Sequence, residues 1–277
     1  MTLADTRPER RPVKKKHVDP AKQKRAKSKL DEVASRPDRW KVIHYSCESF
    51  YDRPNGQSPR ITSLAIRDLS SGQTNSFSIH QIAEKRGIWP SDISQNYDKL
   101  EKEMLDHFFE ELGRLESAKF LHWNMRDANY GFQAIDHRYE VLGGTPISIA
   151  NERKADLARL LVERYGRAYT GHPRLTTLME QNSIQHPDFL SGKQEAAAFD
   201  NGEYVKLHQS TLRKVDVIAN VFERASENNL VTKATWWQLH GGNLISVTNF
   251  IGAHPTVSFI GFILTVVGVG LGVAAFF

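Results

Sequence analysis

The stretch "KFLHWNMRDANYGFQAIDHRY", Lys119–Tyr139, sets the reading of the whole chain. It opens as a short buried strand through Phe120 and Leu121. It then collects His122, Asn124, Arg126, Asp127 and Asn129 within eight residues and passes into a helix over Tyr130–Val141, stopped by Gly143-Gly144. A polar cluster at a strand end either caps the following helix or binds something. Open α/β sheets place their ligands at the carboxyl ends of strands. The density of polar groups here exceeds what a single helix cap requires.

The flanking segments supply the order of elements. Upstream, Lys41–Tyr45 alternates apolar and polar residues as a strand does. "RITSLAIRDLSSGQTNSFSIHQIA" reads as two strands around Ser70-Ser71-Gly72-Gln73, a hairpin. Asp98–Leu115 is a helix, with Leu100, Met104, Leu105, Phe108, Phe109, Leu112 and Leu115 at helical spacing. Downstream, helices are expected over Asn151–Tyr165 and Glu203–Ala225, the latter with Tyr204, His208, Thr211, Val215, Ile218 and Phe222 on one face. No internal repeat is present. The chain is long enough, at 277 residues, for one large domain or two small ones.

"VIHYSCESF" resembles the first strand of the DEDD-type 3′–5′ exonucleases, a hydrophobic strand running into Asp-x-Glu. "FLHWNMRDANYGFQAIDHRYEVLGG" is similar to that family's second motif. The intervening order also resembles that family's: three antiparallel strands, a helix, then a parallel strand, as an RNase H-like sheet begins. The resemblance covers about residues 40–142 and more loosely extends to 220. It implies an α/β fold, an RNase H-like mixed sheet with flanking helices. It also implies four carboxylates holding two divalent metals that activate water against a phosphodiester. Carried over, Glu48 takes the place of the first-motif Glu and Asp127 that of the second-motif Asp, whereas the first Asp falls on Ser46, which supplies no anionic ligand. The late "EYVKLHQSTLRKVD" offers Tyr204, His208 and Asp216 at spacings that do not fit the third motif.

The resemblance therefore implies catalytic candidates Glu48, Asp127 and His208, and one Mg²⁺ or Mn²⁺ shared by Glu48 and Asp127. Asn124, Arg126 and Asn129 become candidates for nucleic-acid contact. Each has a plainer alternative. Glu48 serves equally as a solvated strand end, Asp127 as a helix cap, His208 as a packed core histidine, and the polar loop residues as partners of loop backbone.

Charge and hydropathy place the ends of the chain. Residues 1–29 hold eleven Lys/Arg against three acids, a net +8 in a chain of net +5, which leaves −3 for the remainder. Residues 1–39 read as a disordered basic arm, interrupted by a short helix over Pro20–Ala34, that contacts anionic lipid or nucleic acid or is simply solvated. It lacks the apolar core of a secretory signal. At the other end, Val257–Phe277 runs 21 residues without a charge. At about 1.5 Å per residue it matches the roughly 30 Å of a bilayer core. One cysteine, Cys47, and no CxxC or HExxH pattern exclude an internal disulfide and argue against a structural zinc site.

The expected organisation is a basic arm (1–39), an exonuclease-like domain (40–235), a juxtamembrane segment (236–256) with Leu239–Ile251 at the membrane surface, and a transmembrane helix (257–277). The protein is then single-pass and tail-anchored, with its domain in the cytoplasm. The small residues Gly261, Thr265, Gly268, Gly272 and Ala275 form a stripe that lets two such helices pair. Three functions fit: a membrane-tethered exonuclease-like domain that binds nucleic acid or a nucleotide with impaired catalysis; a membrane effector or scaffold that senses a ligand or partner and self-associates; and an active metal-dependent 3′–5′ exonuclease.

Overall fold

The computed structural model describes residues 18–48, 58–126 and 130–235. At its centre is β1 (Trp40–Cys47), a run of alternating apolar residues buried on both faces. β1 pairs antiparallel with β2 (Ile61–Asp68), which pairs antiparallel with β3 (Thr74–Ser78) across the Ser70–Gln73 turn. On its other side β1 pairs in parallel with β4 (Lys119–His122), with Val42 opposite Leu121 and Ile43 opposite His122. β4 in turn pairs in parallel with β5 (Lys154–Asp156). The sheet order is β3-β2-β1-β4-β5.

The two-residue alternation of β1 sorts the helices into two layers. Ile43, Tyr45 and Leu64 face a core formed with Met104, Leu105 and Phe108 of α3 (Tyr97–Arg114) and Ile135 of α4 (Phe132–Val141). Val42, Ala65 and Leu121 face the opposite core, closed by α1 (Pro20–Ser35), α5 (Leu157–Tyr165) and the long α8 (Tyr204–Ser226), which lies across β1 and β2. Three shorter helices complete the layers: α2 (Ile79–Lys85), α6 (Arg174–Gln181) and α7 (Gly192–Asp200). A Ser191–Gln194 capping box starts α7.

Two expectations need correction. The short helix expected over Pro20–Ala34 is present as α1, but it packs on the sheet instead of lying in a disordered arm. Ala26, Leu30 and Val33, spaced at four and three, form an apolar stripe that buries α1 against the sheet's second core. At the start of α1 the Asp19 carboxylate accepts the Ala21 N–H. The segment 151–165 is not one helix but β5 followed by α5. β5 is only three residues long and is held by pairing to β4. Arg153 pins its approach by donating to the carbonyls of Ala118 (2.8 Å) and Leu115 (2.7 Å). No helix among the described residues is long and apolar enough to cross a membrane, and Leu239–Ile251 and Val257–Phe277 lie outside those residues.

Candidate functional site

β1 ends in a bulge between Ser46 and Cys47. Alternation places His44 and Ser46 under α8, on the same face as Val42. Ser46 is 2% exposed. Its hydroxyl donates to Glu195 Oε1 of α7 (2.9 Å) and lies 2.8 Å from the Thr211 hydroxyl of α8. Thr211 also meets the Ser63 hydroxyl (2.6 Å), and Ser210 donates to Glu195 Oε1 (2.9 Å). The Lys214 ammonium sits 2.5 Å from the other Glu195 oxygen. This is a closed polar network inside an apolar layer. One carboxylate gathers two hydroxyls and one ammonium, so its charge is answered within the protein. Beside it His44 is buried, and among the described residues neither ring nitrogen has a hydrogen-bond partner. Burial, reinforced by Lys214, pushes His44 well below the usual histidine range and keeps it neutral.

One residue past the strand, Glu48 turns back on Arg60. Its Oε1 accepts the Arg60 backbone N–H (2.8 Å) and its Oε2 accepts Arg60 Nε (3.0 Å). The Arg60 guanidinium lies over the rings of Tyr97 (4.9 Å) and Phe199 (5.0 Å). Glu48 thus holds a strand end in place. Asp127 and Asn129 lie outside the described residues, and so does the expected approach of Glu48 to Asp127.

His208, on α8, packs against the His80 ring of α2 at 5.0 Å, and its buried Nε2 has no hydrogen-bond partner among the described residues. Burial, with His80 adding, draws its pKa down to about 4. At neutral pH it is an uncharged core residue. Among the described residues no three His, Cys, Asp or Glu side chains converge to hold a metal. With Ser46 and the Lys214 ammonium at the end of β1 and Glu48 on Arg60, the described residues do not fit a two-metal centre.

The polar residues after β4 serve two purposes. Asn124 adopts φ 56°, its N–H donates to Asp156 Oδ1 (3.1 Å), and its side-chain oxygen accepts from Arg126 (3.2 Å). Asp156 also pairs with Arg126 and caps α5 by accepting the Arg159 N–H (3.3 Å). The Met125 N–H donates to His122 Nδ1 (3.1 Å). Gly131 (φ 150°) lets the chain return, for a Cβ there would lie 2.6 Å from the Met125 carbonyl. Much of the cluster therefore satisfies a tight loop. The remainder faces a cavity of about 440 Å³ between α1, α4, α5 and the ends of β4 and β5. Its cations are Arg25, Lys29, Arg126, Lys154 and Arg159.

Of the residues expected at a site, the structure places Arg126 in this cavity, Asn124 behind it, and Glu48 and His208 each with a different partner. The residues not anticipated are Glu195 and Lys214 in the buried network and the four other cations of the cavity. Lys214 carried a signal: it is the one charge on the α8 stripe Leu207, Thr211, Lys214, Ile218. Comparison with known proteins finds no family model, no curated protein and no solved structure that matches the chain.

Proposed function

We propose that this chain is a membrane-tethered, exonuclease-like domain of RNase H-like architecture that binds nucleic acid or a nucleotide with little or no turnover. The architecture is supported by the sheet order β3-β2-β1-β4-β5, with three antiparallel strands followed by two parallel ones. It is supported too by the placing of α3 and α4 on one face and α8 on the other. The observation that carries the loss of turnover is the Ser46–Glu195–Lys214 network. Where the resemblance puts a metal-binding aspartate there is a hydroxyl, and the nearest carboxylate already holds an ammonium. An ammonium supplies charge but neither polarises a bound water to hydroxide nor bridges two phosphate oxygens as a divalent ion does.

The full chain, purified in detergent, is expected to bind a fluorescent single-stranded oligonucleotide or a nucleotide. It is expected to leave a 3′-labelled oligonucleotide intact in Mg²⁺ or Mn²⁺. Metal-dependent shortening would return the active-exonuclease reading, and absence of any binding would remove this one. The tether rests on Val257–Phe277, 21 uncharged residues. Removing them is expected to move the protein from the membrane fraction to the soluble one. Identical fractionation of the two forms would refute the anchor.

A further inference from the structure

The cavity at the ends of β4 and β5 is not accounted for by the strand-end network. Among the described residues, five cationic side chains line it against two carboxylates, Asp156 and Glu163, a net +3. Their pairings leave capacity to spare. Arg25 and Arg159 share the single Glu163 carboxylate, at 3.1 and 2.9 Å, and both guanidinium side chains remain more than half exposed. Lys29 reaches Glu32 (2.8 Å), which Lys119 also shares. Lys154 lies over the Phe132 ring at 4.7 Å and meets the Asn151 carboxamide oxygen at 3.5 Å. Among the described residues it has no carboxylate within salt-bridge distance. Burial lowers its pKa, and Asp136 and Glu152, beyond salt-bridge distance, offset this only in part, so an anion in the cavity would favour the charged ammonium.

The floor adds direction. His122, 2% exposed, accepts the Met125 N–H on Nδ1, so its proton sits on Nε2, and the residue lines the cavity. Burial holds this histidine down to about 4, so it offers a neutral N–H donor throughout the physiological range. Phe132 and Leu160 supply apolar wall, and Gln133 and Asn151 supply neutral polar groups. A volume of about 440 Å³ lies within the range of small-ligand sites, roughly 300–1,000 Å³.

We propose that this cavity binds a phosphorylated ligand of nucleotide size, its phosphate held by Lys154 with the guanidiniums of Arg25 and Arg159 and its ring against Phe132. Guanidinium forks suit phosphate oxygens, and the three cations line one cavity from α1, α5 and β5. Because Arg25 and Lys29 come from α1, an occupant ties the first helix to the sheet edge. The choice of a nucleotide over other phosphorylated compounds rests on the proposed function; the phosphate site itself does not.

The test is calorimetric titration of the full chain in detergent with ATP, AMP, inorganic phosphate and a 5′-phosphorylated single-stranded 10-mer. Lys154→Glu, Arg25→Glu and the distant Arg213→Glu on α8 are titrated alongside. We expect AMP, ATP or the 10-mer to bind, phosphate to compete, and Lys154→Glu and Arg25→Glu each to weaken binding at least tenfold, while Arg213→Glu leaves it unchanged. Tighter binding of the free nucleotides identifies a small-molecule ligand, and tighter binding of the 10-mer identifies a strand end. Arg25 is exposed, so its variant keeps the fold, and an unchanged melting curve verifies this. If the 10-mer binds wild type and both pocket variants alike, the pocket assignment falls and the proposed function stands. If no probe binds, both fall.

Discussion

Replacing Lys214 by methionine is expected to lower the unfolding free energy by about 3–5 kcal/mol, the usual cost of stranding one partner of a buried ion pair. Methionine keeps the length and volume of the side chain, so the loss is of charge rather than packing. Glu195 is 9% exposed, and without the ammonium it retains only the Ser46 and Ser210 hydroxyls. Glu195→Gln alone strands the cation instead and is expected to cost a similar amount. The double variant, Lys214→Met with Glu195→Gln, buries no charge and is expected to recover most of the loss. The measurement is a double-mutant cycle by urea unfolding of the full chain. Losses that simply add would show that the two side chains do not act together, and the account of β1's end would lose its basis.

Acidification is expected to unfold the domain well above the range where carboxylates alone would act. His122 and His208 both sit at about 4 in the folded protein because burial disfavours their charged forms, against about 6.5 unfolded. The folded state therefore binds fewer protons than the unfolded one between those values. The stability these residues contribute is fully present above about pH 6.5 and is lost as pH falls toward 4. Each shift corresponds to about 2 kcal/mol lost by pH 5 and about 3 by pH 4. His44, pushed down in the same direction, adds to this. Against a typical total of about 5–15 kcal/mol, the sum is decisive. The lowered carboxylates Glu32, Asp68 and Glu163 act later, as pH drops through their own range. Chemical denaturation at a series of pH values checks the sign and the window. His208→Leu is expected to flatten the slope and to raise stability at pH 5, because the Nε2 it removes has no partner. A stability curve flat between pH 7 and 5 would contradict the buried neutral state of these rings.

The central strands and long helices were legible because their periodicity is strong. β4 appears over the expected Lys119–His122, beside β1 and parallel to it. The helices read as 98–115 and 203–225 are α3 and α8, displaced by one residue. β5 was not legible, because three residues carry no period and pairing to β4 alone makes them a strand. α1 was half legible. Its apolar stripe of Ala26, Leu30 and Val33 lies among so many lysines that charge dominated the reading, although Lys22, Lys24 and Lys27 are exposed and Arg25 and Lys29 line the neighbouring cavity. At the candidate site the serine in place of an aspartate was visible in the sequence. What answers it was not, since Glu195 lies 149 residues away on a short helix with no pattern linking the two. The basic cavity was illegible for the same reason: its cations come from α1, the loop after β4, β5 and α5, and only the fold gathers them.

The most direct test of a binding rather than hydrolytic domain is one experiment on the full chain in detergent. A 3′-labelled single-stranded oligonucleotide is followed simultaneously for anisotropy and for length while Mn²⁺ is titrated. Raised anisotropy is expected, with a strand that keeps its full length at every Mn²⁺ concentration. Mn²⁺-dependent shortening from the 3′ end that disappears in Glu48→Gln would contradict it, because Glu48 would then be serving a metal rather than Arg60.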